Sequence, residues 1–395
     1  MNREKKKIEL STTIIIAGIL AVVGYICGTQ SSKIEALLAP TIGLKGDYNK
    51  LDLSSVENTY RKLTEKFDGK LDKNKLIEGA SKGLVEAAGD DYTTYLNKEE
   101  SEDFSKNLNG DVGAGIGVEL GSRKNLPTVI RTLKNNSAIK AGIMAGDIVT
   151  KVNDEDVTKL KVGEISQKIR GEEGTTVKIT VLRGDKEKEF SVVRAKIDNP
   201  SVELNIKGDV AILNVARFDE NTGNLANKYA EEIKAKNINK VILDLRNNGG
   251  GYVSAARSLA SLWIDRNSVI VTEKQGDKVV GQERASGNNI LKDKKTVVLI
   301  NGNTASASEI VAGALKDYAK ATIVGEKSFG KGSVQEPIQI NDDALLKVTV
   351  AKWYTPKGKN INKEGIHPEK EIKLAEDDIN NSRDPQLDYA LDTLK

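Results

Sequence analysis

Between about residues 200 and 375, short β-branched runs alternate with longer amphipathic stretches, and this alternation limits the fold more than any other feature of the chain. Residues 210–215, 241–245, 297–300 and 322–324 read as strands, and helical periodicity fills 221–236, 252–264 and 305–319. Apolar strands joined by helices predict a largely parallel sheet covered on both faces. Ligands in such sheets are met where strands end and loops begin. Two of those loops are unusual, Arg246-Asn247-Asn248-Gly249-Gly250-Gly251 and Asn301-Gly302-Asn303-Thr304-Ala305-Ser306.

The rest of the chain follows other rules. Residues 110–196 carry closely spaced glycines, a run at 126–133 and β-rich stretches at 177–182 and 189–193, which suits a small β-rich domain with one or two short helices. From 51 to 96 the pattern is helical: Val56, Tyr60, Leu63 and Phe67, then Leu76, Ala80, Leu84 and Val85, recur at three and four residues. So small a helical pair needs a partner surface. A Gly- and Pro-containing tether at 31–50 precedes it. Before the tether, Arg3, Lys5, Lys6 and Lys7 abut an uncharged apolar run of fourteen residues, Ile14 to Cys27. The basic end is expected to stay in the cytoplasm and the remainder to go outside. No A-x-A-like site surrounds Gly24 to Gly28, so a retained membrane anchor is preferred over a cleaved signal. Bulky Tyr25 and Ile26 before Cys27 speak against lipid attachment. The expected class is multidomain α+β, with segments 1–30, 31–108, 109–197, 198–376 and 377–395.

Composition narrows the chemistry. With one histidine, His367, among 395 residues, a Ser/His/Asp triad or a His-rich metal site has a single residue to draw on, and one cysteine, Cys27, permits no intramolecular disulfide. Sixty basic residues against 57 acidic net only +3, which gives no sign of a nucleic-acid binder.

Three motifs mislead. Gly113-Ala114-Gly115-Ile116-Gly117 lacks the third glycine of a dinucleotide loop, since Val118 stands there. Gly325 to Gly332 nearly makes a P-loop, but its magnesium-binding position is Gly332 and Ser333 comes one place late. Ser328-x-x-Lys331 has the spacing of a penicillin-binding serine enzyme, yet Gly330 and Gly332 disfavour the helix that spacing needs.

Ser306 is the stronger candidate. It follows a buried strand and opens a helical run, which places its hydroxyl at the positive end of a helix. Ser306-Ala307-Ser308-Glu309 is also a capping box, so position alone leaves a cap and a nucleophile both open. With no histidine to spare, a serine nucleophile needs another base, and a lysine serves if its environment suppresses the ammonium form. Lys331 beside Phe329 and flanking glycines is such a residue; a solvated surface charge is the plainer alternative. Gln335, four residues on, can orient the amine without adding charge.

The chain as a whole resembles the carboxy-terminal processing (tail-specific) proteases, the S41 serine/lysine peptidases. The resemblance covers about 50–375. It is carried by Ser306-Ala307-Ser308-Glu309-Ile310, by Phe329-Gly330-Lys331-Gly332-Ser333-Val334-Gln335, and by Asp244-Leu245-Arg246-Asn247-Asn248-Gly249-Gly250-Gly251. Gly365-Ile366-His367-Pro368-Glu369 and Gly89-Asp90-Asp91-Tyr92-Thr93 extend it. Gly249 and Asp91 stand where many members carry proline. The resemblance implies a PDZ middle domain whose loop Gly115-Ile116-Gly117-Val118 receives a substrate C-terminal carboxylate, while the peptide adds a strand to the domain edge. It implies Ser306 as nucleophile, Lys331 as general base, Gln335 as its orienting partner, and the amides of Gly251 and Ala307 as oxyanion hole. Polypeptide substrates, an acyl-enzyme, a dimerising N-terminal helical region and no metal or nucleotide cofactor follow as expectations. His367 is read as a structural residue. A catalytically silent PDZ scaffold and an acyl enzyme using Ser328 are the competing readings.

Overall fold

The computed structural model describes residues 51–395 apart from 112, 124, 125, 134, 376, 379, 380 and 382. The expected anchor, the tether and Cys27 lie outside the described residues.

Two compact units are present, one ending at Ile77 and the other running from Glu78 to Lys395. In the first, helix α1 (Ser54–Lys66) buries no residue of its own, and Val56, Tyr60 and Phe67 stand exposed along the segment. Helix α2 (Lys73–Glu86) follows. The helical expectation for 51–96 fails at its end: 94–97 is a strand, β1 (Thr94–Asn97), followed by helix α3 (Lys98–Leu108). Asn97 explains the switch, because it caps α3 in a reciprocal box with Glu100 and so ends the strand where the helix begins.

The middle region comprises β2 (Ala114–Gly115), β3 (Val118–Arg123), β4 (Leu126–Thr132), α4 (Ser137–Ala141), β5 (Ile148–Val152), β6 (Glu155–Asp156), α5 (Val162–Ile169), β7 (Thr176–Arg183), β8 (Lys186–Val193) and β9 (Ala195–Lys196). Its main sheet has the order β3-β4-β5-β7-β8, with β6 on β5, and β2 pairs β9 beside it. Alternation along β7 sends Val177, Ile179 and Val181 into a core shared with Ile116, Val129, Ile143, Ile165 and Ile169. Asp147, 1% exposed, is held by a two-pronged bond from Arg183 at 2.6 and 2.7 Å.

The remainder carries β10 (Val202–Lys207), β11 (Val210–Val215), α6 (Thr222–Ala235), β12 (Lys240–Asp244), α7 (Val253–Ala260), β13 (Val269–Gln275), β14 (Lys278–Arg284), β15 (Lys295–Ile300), α8 (Ala307–Asp317), β16 (Thr322–Gly325), β17 (Ser333–Asn341), β18 (Ala344–Tyr354), β19 (Lys370–Glu371) and α9 (Pro385–Thr393). The sheet β10-β11-β12-β15-β16-β19 is parallel from β11 onward, with β10 antiparallel at one edge. One face packs on α6, α7 and α8, and the other on Leu387, Ala390, Leu391 and Leu394 of the C-terminal segment. Coverage on both faces is why 241–243 of β12 and 297–300 of β15 are continuous apolar runs instead of alternating. Helix α8 is central: every residue from Ala307 to Leu315 is buried.

A second, antiparallel sheet was not foreseen. It runs β1-β18-β13-β14, with β17 also on β18. Its strands mix polar and apolar residues, so they leave no run as apolar as the parallel strands do, and although β13 and β14, like β17 and β18, are neighbours in sequence, β1 and β13 reach β18 from far away.

Candidate active site

Chain geometry at the end of β15 places the first candidate group, Ser306. After Ile300 the turn is pinned to the neighbouring strand end: Thr304 Oγ1 donates to the Leu245 carbonyl at 2.9 Å, and Asn301 Oδ1 accepts from the Asn247 amide at 2.9 Å. The chain then enters α8 through Ser306 at φ 55° and ψ −118°. A non-glycine residue held there costs on the order of 1–3 kcal/mol and persists only where its surroundings over-determine it. They do so here. The Ser306 amide donates to Glu309 Oε2 at 2.8 Å, and the Ser306 carbonyl accepts from the Glu309 and Ile310 amides at 2.8 and 3.0 Å. Sharp strand-to-helix turns of this kind present a serine Oγ to a cleft.

Glu309 does more than close a capping box. It is fully buried, and four donors converge on its carboxylate: the Ser306 and Lys331 amides on Oε2 at 2.8 and 2.9 Å, the Ser328 hydroxyl and Gly330 amide on Oε1 at 2.6 and 2.7 Å. Burial pushes this carboxyl above the usual carboxylate range, against the pull of the four donors. One oxygen thereby ties the backbone of Ser306 to that of Lys331. Ser328 is consumed by the same network, since its Oγ also accepts from the Ile366 amide at 2.6 Å. It is a buried structural hydroxyl, which removes the basis for an acyl enzyme at that residue.

Ser306, Lys331, Gln335 and Gly251 line one cavity of about 510 Å³, with Tyr252, Lys347 and Trp353 among its other walls. Burial pushes the Lys331 ammonium below the usual lysine range, and the positive charge of Lys347 pushes the same way, while Glu309 opposes them. Lys331 Nζ sits 5.4 Å from the centre of the Tyr92 ring. The Gln335 side chain donates to Thr349 Oγ1, and its own Oε1 is buried without a partner among the described residues.

The glycine loop opposite is built to approach closely. Gly250 and Gly251 adopt φ of 104° and 139°. A Cβ on Gly250 would stand 2.8 Å from that of Ser306, and one on Gly251 would stand 2.1 Å from the Phe218 carbonyl oxygen. Asn248 holds the loop from beneath, donating to the Val215 carbonyl at 2.7 Å and accepting the Gly250 amide at 2.9 Å. The amides of Gly251 and Ala307 find no backbone acceptor among the described residues. In the middle region, a groove of about 340 Å³ is lined by Gly115, Ile116, Gly117 and Val118, with Leu120 and Ile169 among its apolar walls. There too the carbonyls are used, Ile116 accepting from Ala138 at 2.8 Å and Gly117 from Leu133 at 2.9 Å, while the amides of Ile116 and Gly117 find no backbone acceptor among the described residues. His367 is exposed and lies outside the catalytic cavity; its carbonyl accepts from Lys316 Nζ.

Known proteins resemble this chain. Peptidase family S41 matches residues 209–372, the PDZ domain matches 114–193, and the activating protease CtpB N-terminal domain matches 25–100. The chain is 34% identical over 368 residues to a "Probable CtpA-like serine protease" of Staphylococcus haemolyticus, covering 93% of this chain and 74% of the relative. The chain belongs to the S41 peptidase family. A protein of the same description from Staphylococcus aureus is 36% identical over 363 residues, 90% of this chain and 70% of the relative. Among solved structures, a photosystem II D1 C-terminal processing protease is similar with a TM-score of 0.53 and 26% identity, covering 82% of this chain and 87% of that one. The protein is thus a serine-type peptidase of the C-terminal processing class, with a PDZ domain.

Sequence reasoning left several residues of this S41 site without a role. Glu309 was visible as a capping residue, but its reach to the Lys331 loop was not. Tyr92 enters because β1 pairs with β18, Thr94 opposite Lys347, and Thr349 and Lys347 enter because β18 pairs with β17, Thr349 opposite Gln335. The Gly89 to Thr93 motif was the available signal for that segment.

Proposed function

We propose that this peptidase cleaves through an acyl-enzyme formed on Ser306, with Lys331 as general base, and that its PDZ groove captures substrate C-terminal tails. The observation that carries this reading is the shared cavity in which a lysine with a suppressed ammonium form accompanies a serine held in a sharp turn. Neutral Lys331 takes the Ser306 hydroxyl proton as Oγ bonds to the scissile carbonyl carbon. The negative charge that develops on the carbonyl oxygen is met by the free amides of Gly251 and Ala307. Collapse expels the amine, which takes the proton from Lys331, and water then releases the acyl group by the same steps. Gln335 positions the Lys331 amine. In the PDZ groove, the Ile116 and Gly117 amides suit a terminal carboxylate and Leu120 and Ile169 suit an apolar side chain.

In this reading Ile14 to Cys27 anchors the protein in a membrane with the peptidase outside the cytoplasm, and the apolar face of α1 at Val56 and Tyr60 pairs with a second copy. The deciding experiment is mass spectrometry of the full chain after brief reaction with a serine-directed acylating probe. Adduct on Ser306 that is lost in Lys331→Ala supports the assignment; adduct of equal yield in Lys331→Ala would sink it.

A further inference from the structure

The Gln335 side chain has two ends of nearly equal shape and opposite hydrogen-bonding character, and only one of them suits the amine of Lys331. Something must choose. Its Nε2 donates to Thr349 Oγ1, and the two residues are direct cross-strand partners in β17 and β18 next to a register shift. Thr349 Oγ1 lies 2.6 Å from Asp90 Oδ2, which also accepts from Thr93 Oγ1. The Thr93 hydroxyl in turn accepts the Thr349 amide at 3.1 Å.

These contacts allow one direction of donation. An ionised carboxylate only accepts, so the single Thr349 hydroxyl proton must point to Asp90. The Thr349 oxygen can then offer only a lone pair to Gln335, which must present its NH₂. A flipped amide would set the Gln335 oxygen against the Thr349 oxygen with no proton between them. The remaining end, Oε1, is buried without a partner among the described residues in the cavity that Lys331 also lines. Leaving a buried acceptor unpaired is unfavourable unless a donor arrives when substrate binds. Asp90 remains ionised under these conditions: burial pushes its carboxyl up, but the hydroxyls of Thr349 and Thr93 and nearby amides outweigh it and leave it below the usual range.

We propose that Asp90 and Thr349 are positioning residues that fix the amide of Gln335 with Oε1 turned to accept from the Lys331 amine, so directing the amine lone pair toward Ser306. The inference rests on the assignment of Lys331 and Gln335 given above. It gives the Gly89 to Thr93 motif a function through a hydrogen bond that spans 259 positions in sequence.

The test is the pH profile of kcat/KM for the full chain on dye-labelled casein, comparing wild type with Thr349→Val, Thr349→Ser and Asp90→Asn. An acceptor beside Lys331 favours its ammonium form, whereas a flipped amide presents a donor that disfavours it. Thr349→Val therefore lowers the plateau about tenfold or more and moves the acid limb to lower pH by about half a unit. Asp90→Asn, whose amide can donate to Thr349, moves it the same way. Thr349→Ser restores both plateau and limb. A lowered plateau with an unmoved limb would mean lost folded enzyme only and overturns the proposal, as does a wild-type profile in Thr349→Val. Gln335→Ala separates the two levels: if it retains full activity, the Gln335 assignment itself fails, and if it is impaired while Thr349→Val is not, this inference alone fails.

Discussion

On the proposed mechanism, two glycine loops in this molecule do related work by different means. In the PDZ loop at 115–118 the Ile116 and Gly117 carbonyls accept from the protein and in the catalytic loop at 249–251 the Gly250 carbonyl does, while the amides of Ile116, Gly117 and Gly251 find no backbone acceptor among the described residues. The PDZ loop is fixed by neighbouring backbone, with Ala138 and Leu133 donating to it and Ile116 sunk in the core. The catalytic loop also has backbone support, the Phe218 amide donating to the Gly250 carbonyl at 2.9 Å, and adds side chains to it, Asn248 beneath the loop and Glu309 behind the serine it faces. The difference matches the charge each meets. A terminal carboxylate carries its charge before it binds, so a loop placed by main chain suffices. The charge on a scissile carbonyl exists only in the transition state, and small errors in donor position are felt in the rate.

Ser306→Ala should draw the contrast most sharply. It is expected to lower kcat on the order of 10⁴-fold or more in peptide hydrolysis assays, while tail-peptide binding measured by fluorescence anisotropy stays at the wild-type value. Gly251→Ala comes next. Its Cβ would lie 2.1 Å from the Phe218 carbonyl oxygen at φ 139°, so the donor is displaced and kcat falls about 10²- to 10³-fold, again with tail binding retained. The PDZ counterpart is Gly117→Ala, where a Cβ would stand 2.1 Å from that of Asn136 at φ 79°. Tail binding should weaken about tenfold or more, and KM for tail-bearing substrates should rise, with kcat nearly unchanged. If Gly117→Ala lowered kcat as much as Gly251→Ala does, the division between the two loops would be wrong.

The smallest effect concerns stability. Lys331 binds its proton less tightly folded than unfolded, so the unfolded chain holds more protons between the lowered folded pKa and the usual lysine value near 10.4. Stability contributed by this residue therefore rises with pH through that window. Below it, the buried ammonium is a burden that Lys331→Met removes. The variant should be inactive yet melt at a slightly higher temperature at neutral pH, an advantage that shrinks as pH increases; a lower melting temperature would contradict the buried-cation reading.

The two regions also differed in how far the sequence disclosed them. The parallel strands were legible because burial on both faces leaves uninterrupted apolar runs, and β11 falls at 210–215 as its pattern indicates. Ser306 and Lys331, the proposed nucleophile and base, stood out in the sequence because a chain with one histidine leaves few bases for a serine. The second sheet was hidden. β17 and β18 form a local hairpin, but β1 and β13 meet β18 across long separations, so periodicity within any one strand says little about its partners. Glu309 showed only its local half, the cap, since the Lys331 loop reaches it from 22 positions away. Asp90 was marked only as part of the Gly89 to Thr93 motif, and Thr349 carries no local signal at all.

The backbone angle at Ser306 bears on which nucleophiles this scaffold can accept. A threonine hydroxyl is as competent chemically as a serine hydroxyl, and peptidases elsewhere use it. At φ 55° and ψ −118°, however, a β-branched side chain has no comfortable rotamer, and the turn admits none without opening. Cysteine, unbranched at Cβ, escapes that objection. A swap of oxygen for sulfur is therefore structurally open to this enzyme, whereas the addition of a single methyl group is closed, and the door between the two is set by the main chain and not by reactivity.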